Sequence, residues 1–193
     1  MTMRQASLFE EPPPGPPGLI YQPDAIDAEE ERAVAARLAQ LDLKPFEMQG
    51  RVALRKVAYF GARYDVARDG LAHGAPIPDF LQPLRRRAAD LAGLDPQTLV
   101  HALVNAYPPG APIGWHRDKA AFGEVVGFSF LSPCLMRFRR ANGAAWDRLS
   151  LTLAPRSAYV LSGAARSVWE HSIPPVDSLR YSVTFRTLAD PGA

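Results

Sequence analysis

The chain has 193 residues, 47% of them hydrophobic and 22% charged, with a formal net charge of +2; such a composition suits one globular domain and excludes a coiled coil, a collagen-like rod and a wholly disordered chain. No stretch approaches the ~20 uninterrupted apolar residues of a membrane span and no signal-peptide core is present, so the expectation is a cytoplasmic monomer with no membrane partner. The single cysteine, Cys134, permits neither an internal disulfide nor a thiolate cluster, so any bound metal would rest on His and carboxylate.

Residues 10–18, EEPPPGPPG, hold too many prolines and too little apolar surface to pack, which predicts a disordered tail over 1–18 and a single domain over 19–193. The N-terminal part is acidic: residues 1–50 carry 4 basic and 9 acidic side chains, and the remaining body carries a net charge of +7. Acidic residues followed by Ala33, Val34, Leu38 and Leu41 at helical spacing predict a helix over Asp24–Leu43. Residues 51–64 read as two strands or a hairpin. A second helix is expected over Pro78–Leu91, with Phe80, Leu81, Leu84, Ala88 and Leu91 inward and Arg85, Arg86 and Arg87 outward. From Leu99 the pattern changes to short alternating runs at Leu99–Ala106, Val125–Leu131, Cys134–Arg139, Asp147–Leu153, Ala158–Leu161 and Tyr181–Leu188. Six to eight short strands after two helices predict an α+β, mainly β fold, a jelly roll buttressed by N-terminal helices.

The chain has four histidines, and two patterns among its polar residues point to chemistry. His116 and Asp118 lie two apart, so in an extended segment both side chains leave one face. His171, where a strand ends before Pro174 and Pro175, is a natural third partner. Two imidazoles and a carboxylate on one side of a metal form the facial triad of non-haem Fe(II) oxygenases, although the spacing equally describes three residues hydrogen-bonded in loops. In Arg180-Tyr-Ser-Val-Thr-Phe-Arg186, strict alternation puts Arg180, Ser182, Thr184 and Arg186 on one face. That face is either solvated or, if buried, suited to a dicarboxylate held by guanidinium forks. Asn105 and Tyr107 repeat the two-residue spacing shortly before His116.

Taken in order, Asn105-Ala-Tyr107-Pro-Pro-Gly110, His116-Arg-Asp118-Lys119, Gly163-Ala-Ala-Arg166 leading to His171-Ser-Ile173, and Arg180 to Arg186 resemble the AlkB-type Fe(II)/2-oxoglutarate dioxygenases over residues 50–188. The resemblance implies a double-stranded β-helix in which His116, Asp118 and His171 bind iron. It implies that Asn105, Tyr107, Arg180 and Ser182 hold 2-oxoglutarate, with Arg180 on its distal carboxylate, and that Arg186 lies beside both iron and co-substrate. With O2 these would oxidise a C–H bond on an N-alkylated base of DNA or RNA, presented single-stranded or flipped.

The segment Arg55 to Val66 resembles the family's nucleotide-recognition hairpin, making Tyr59, Arg63 and Tyr64 substrate-binding candidates and Arg51, Arg55, Lys56 and Arg63 candidate phosphate contacts. Two departures bear on substrate: Ala120 stands where repair members place an acid, and Val66 where they place a stacking aromatic. The alternatives are the same oxidation on a protein side chain or a tRNA modification, a non-catalytic nucleic-acid-binding module, and a zinc hydrolase. Ile113 and Trp115 are expected to line the site, Trp146 and Trp169 to pack or form a rim, His73 and His101 to be structural, and Cys134 to be buried.

Overall fold

The computed structural model describes residues 15–48, 50–65 and 70–189, with 48, 51, 63–65, 70, 71 and 73 described by their backbone alone; most of the expected N-terminal tail lies outside the described residues. After β1 (Leu19–Gln22), Asp27 caps α1 (Ala28–Leu38) by accepting hydrogen bonds from the amides of Glu29 and Glu30, both at 2.8 Å. This satisfies donors that a helix start leaves without partners. The helix is shorter than its apolar pattern, because Ala39 to Leu43 leave it in a run of turns. β2 (Lys44–Met48) pairs with β3 (Arg51–Asp65), which continues as one long strand to pair with β4 (Gly70–His73). A 3-10 turn at Asp79–Leu81 then leads into α2 (Gln82–Ala92), which stops at Gly93 in the left-handed region, φ 67°.

The remaining elements are β5 (His101–Tyr107), β6 (Ile113–His116), β7 (Phe122–Phe130), β8 (Cys134–Asn142), β9 (Ala145–Leu153), β10 (Ala158–Leu161), α3 (Gly163–Ser167), β11 (Glu170–Ile173) and β12 (Arg180–Leu188). They build two antiparallel sheets. The larger runs β1-β10-β7-β12-β5-β3-β2 with β4 attached to β3, and the smaller runs β6-β11-β8-β9. One face of the large sheet carries Val104, Phe128, Val183 and Phe185, which pack with Leu38, Leu81 and Leu84 of the helical layer. Its other face and the inner face of the small sheet enclose a second core containing Tyr107, Val125, Met136, Phe138, Leu153 and Trp169. Each large side chain so buried contributes roughly 1.5–3 kcal/mol, and the two cores clamp the large sheet from both sides. The fold is the expected helix-buttressed jelly roll.

Alternation in β12 sorts its residues as the sequence indicates. Tyr181, Val183 and Phe185 join the helix-side core, while Arg180, Ser182, Thr184 and Arg186 turn between the sheets and are buried. Several elements lie outside the sequence-based pattern. β6 and β11 are only four residues each, too short for periodicity to register. Residues 51–64 form most of one strand rather than two. The Pro-rich run is tied down at its end: the carbonyls of Pro17 and Gly18 accept hydrogen bonds from the amides of Ala165 and Ser162.

Candidate active site

His171 in β11 pairs in register with His116 in β6, whereas Ile173 pairs with Ile113. Between these pairs Gly114 and Trp115 on β6 thus oppose Ser172 alone on β11, a β-bulge that keeps both Ile113 and His116 inward. Trp115, next to His116 on the strand, points to the opposite face, and its ring lies beneath the guanidiniums of Arg137 and Arg139, which alternate with the buried Met136 and Phe138. Trp115 therefore does not line the site, contrary to the sequence expectation.

The His116 and His171 ring centroids are 4.3 Å apart, and His171 Nε2 is 3.8 Å from Asp118 Oδ2. His116 Nδ1 lies 2.9 Å from the Gly114 carbonyl, a contact in which the ring N–H donates and Nε2 keeps its lone pair. On the far side of the carboxylate, Arg186 donates from Nε at 3.1 Å and from Nη2 at 2.7 Å to Oδ1 of Asp118, and from Nη1 to Thr184 Oγ1 at 2.9 Å. Burial by itself would favour the protonated acid, but Arg186, then His171 and His116, hold the Asp118 carboxyl well below the usual carboxylate range. Burial, reinforced by neighbouring His116 and opposed by Asp118, pushes the His171 imidazole down to about 3. At neutral pH the site thus presents an anionic carboxylate beside an imidazole with its lone pair available.

Among the described residues no three His, Cys, Asp or Glu side chains are drawn together as a metal-holding group; in the trio, Oδ1 of Asp118 is engaged by Arg186 and Oδ2 faces His171. Its chemistry nevertheless fits Fe(II), being two nitrogen donors and one carboxylate oxygen from neighbouring segments. Beside it is a place for an acid. Arg180 is 1% exposed, donates from Nε to Ser129 Oγ at 3.0 Å, and holds its guanidinium 4.9 Å from the Tyr107 ring centroid. Its Nη1 is buried with no hydrogen-bond partner among the described residues. Leaving such a donor unpaired costs about 1–3 kcal/mol, and a bound carboxylate would satisfy it. Asn105 and Ser182, both buried, are opposite each other on β5 and β12. Together these residues make a buried cluster of guanidinium, hydroxyl and amide groups on β5 and β12.

A sequence profile of the 2OG-Fe(II) oxygenase superfamily matches residues 20–186. The chain belongs to this superfamily. It is an AlkB-like oxygenase, an enzyme that uses Fe(II), 2-oxoglutarate and O2. It is 28% identical over 197 residues to the Arabidopsis thaliana protein named "Alkylated DNA repair protein ALKBH8 homolog", covering 89% of this chain and 55% of that protein. It is 29% identical over 169 residues to the Xenopus tropicalis tRNA (carboxymethyluridine(34)-5-O)-methyltransferase alkbh8, covering 83% of this chain and 26% of that protein. This chain thus spans only about half or a quarter of those relatives. Among solved structures it resembles OsALKBH1, with a TM-score of 0.64, 16% identity and coverage of 89% of this chain and 97% of that one. It also resembles a Pseudomonas putida prolyl-4-hydroxylase, with a TM-score of 0.59, 17% identity and coverage of 90% and 93%. Both show the shared jelly roll.

The candidate substrate side is less complete. Tyr59 of the oxygenase is 41% exposed and shares the site-facing side of β3 with Val57; the side chains of Arg63 and Tyr64, and the whole of Val66, lie outside the described residues. Arg55, a candidate phosphate contact, is instead stacked 3.6 Å from the Phe46 ring centroid with its Nε buried. Sequence reasoning missed the roles of two residues. His101 is 3% exposed on the site face of β5, with its ring between Phe122 at 4.6 Å and Tyr59 at 6.1 Å, and its Nδ1 is 2.5 Å from the Ala62 carbonyl. Its two-residue spacing from Leu103, Asn105 and Tyr107 was the available signal. Arg166 of α3 donates to the carbonyls of Gly123 at 2.8 Å and of Lys119 and Phe122, both at 2.6 Å, clamping the loop that follows Asp118. No local pattern announces that contact.

Proposed function

We propose that this oxygenase oxidatively dealkylates N-alkylated bases of DNA or RNA, taken as a single strand or as a flipped nucleotide. The observation that carries the reading is the exposed ring of Tyr59 on the site face of β3, backed by the buried rings of His101 and Phe122, with the Arg186 guanidinium 5.9 Å from the Phe122 ring centroid. Such an exposed aromatic ring suits a planar base. The basic body and the names of the Arabidopsis and Xenopus relatives support a nucleic-acid substrate.

In this reading His116, Asp118 and His171 hold the metal. Bound Fe(II), with 2-oxoglutarate and O2, supplies hydroxylation of a C–H bond, which on an N-alkyl carbon ends as an aldehyde and the bare nitrogen. Arg186 keeps Asp118 ionised and fixes the rotation of its carboxylate. Arg180 directs Nη1 to the distal carboxylate of the co-substrate, and Ser129 holds the guanidinium in plane through Nε. Asn105, Tyr107 and Ser182 line the same space, while the apolar core between the sheets excludes water from it.

A second reading, oxidation within a tRNA modification, draws on the names of the Xenopus and mouse relatives, each matched over 26% of its length, and on Ala120 in place of an acid near the target base. Mass spectrometry of methylated DNA, methylated RNA and modified tRNA, after incubation with enzyme, Fe(II), 2-oxoglutarate and ascorbate, separates the two. Loss of an alkyl group with release of its aldehyde is the expected result. Gain of one oxygen on a modified tRNA nucleoside would establish the second reading. Unchanged nucleic acid with intact 2-oxoglutarate turnover would overturn both.

A further inference from the structure

The inner face of the small sheet carries His116 and His171, and its outer face carries a different set of residues. Along β8 the side chains that alternate with buried Cys134, Met136 and Phe138 are Leu135, Arg137 and Arg139; along β9, those that alternate with Leu149, Leu151 and Leu153 are Trp146, Arg148 and Ser150. The guanidinium of Arg139 lies 4.5 Å from the Trp115 ring centroid and 4.4 Å from that of Trp146, and Arg137 lies 5.1 Å from Trp115. Arg148 is directly opposite Arg139 in the β8–β9 register. This is a layered surface of indoles and guanidiniums on an exposed sheet face, and Trp146 is 40% exposed.

The charge on this face is not balanced. Glu170 answers Arg139 through Nε at 2.7 Å, and Arg137 Nε is held by the uncharged Ser172 hydroxyl at 3.1 Å. Arg148 reaches only the Trp146 carbonyl among the described residues, at 3.4 Å. Two positive charges therefore remain without a carboxylate on a face that also offers aromatic planes. An acidic protein segment would use the charge and leave the indoles idle. A nucleic-acid strand uses both, since its phosphates accept from guanidinium forks and each base has a π-face to stack. The position also matters: Trp115 is the residue before His116 on edge strand β6, and Glu170 the residue before His171.

We infer that the outer face of the four-stranded sheet, built on Trp115, Arg137, Arg139, Trp146 and Arg148, is a platform for single-stranded nucleic acid flanking the target nucleotide. The inference rests on the nucleic-acid reading of the site and adds a second place of contact on the opposite side of the same strands. Fluorescence anisotropy of a labelled single-stranded oligonucleotide of about a dozen nucleotides, across a salt series, tests it with full-length enzyme. Arg148→Gln should reduce the log–log salt slope by roughly one unit. Trp146→Ala should weaken binding about tenfold with the slope unchanged, and Trp146→Phe should restore most of that loss. Uncoupled 2-oxoglutarate turnover should be that of the wild type in all three variants. Wild-type affinity and slope in every variant would overturn the platform alone, as would an acidic peptide that binds as tightly as the oligonucleotide and ignores Trp146→Ala. Binding that depends on the platform without modification of any base would uphold it and overturn the substrate reading. No oligonucleotide binding at low salt would overturn both.

Discussion

Arg180 and Asp118 are charged residues kept in the interior by opposite means. Arg180 has one hydrogen bond to Ser129 and a buried Nη1 without a partner among the described residues, so its environment is completed only by an added acceptor. Arg180→Ala should raise the KM for 2-oxoglutarate about 10- to 100-fold, as expected for losing a charged hydrogen bond, and Arg180→Lys should recover only part of it because an ammonium lacks the fork. Steady-state kinetics decide this, and an unchanged KM would transfer the co-substrate to another cation. Asp118, by contrast, already has its counter-ion, with Arg186 on Oδ1. Asp118→Asn keeps the shape, removes the charge and leaves Arg186 buried without its counter-ion, which should cost about 3–5 kcal/mol of stability and abolish Fe(II) binding. Thermal unfolding and anaerobic metal titration read the two effects separately; a variant that binds Fe(II) normally would remove Asp118 from the ligand set.

At the scale of elements, the trio depends on two short strands and a five-residue helix. The β6 bulge sets which side chains face the metal, and α3 sends Arg166 across to three carbonyls of the segment after Asp118. Arg166 is thus a positioning residue, touching the loop rather than the reacting groups. Arg166→Ala should lower stability by about 2–3 kcal/mol, at roughly 1 kcal/mol per lost hydrogen bond, and weaken Fe(II) binding more than it changes the KM for 2-oxoglutarate, because Arg180 lies on β12 and is untouched. Calorimetry and separate titrations of metal and co-substrate would show that split. Equal losses for both ligands would mean that the clamp acts on the fold as a whole.

Over the whole molecule, the two buried imidazoles make the metal-free protein acid-sensitive. Burial first, then Arg186, pushes His101 down to about 4, against the pull of the Ala62 carbonyl and Asp118, and His171 is pushed down to about 3. Both titrate near 6.5 in the unfolded chain. Between pH 6.5 and about 4 the unfolded state therefore binds protons that the native state refuses, so stability falls as the pH drops through that window. The loss from His101 should reach up to about 3 kcal/mol. Urea midpoints of the metal-free protein from pH 7.5 to 4.5 should fall for the wild type and fall less for His101→Gln. Parallel curves would show that His101 takes up a proton without penalty.

Local chemistry by itself determined much of this protein. The alternation of β12 specified which side was apolar, because a strand has only two faces. Asp27 and Gly93 start and stop helices through their own side-chain and backbone preferences, and the ordered motifs around Asn105, His116, His171 and Arg180, through their resemblance to a known family, implied iron and 2-oxoglutarate before any fold was in view. The helical pattern nonetheless overran α1, since periodicity does not register where the chain turns away. Tertiary structure alone decided the rest. Ile113 shares the inward face of His116, three residues away, because a bulge between the His171 and Ile173 pairings inserts one residue, a register effect that depends on the partner strand. His101 faces the site because β5 lies between β3 and β12, and Arg166 reaches its loop across 43 residues of sequence. The outer platform is likewise assembled from β6, β8 and β9, whose separation along the chain hides that their indoles and guanidiniums share one sheet face.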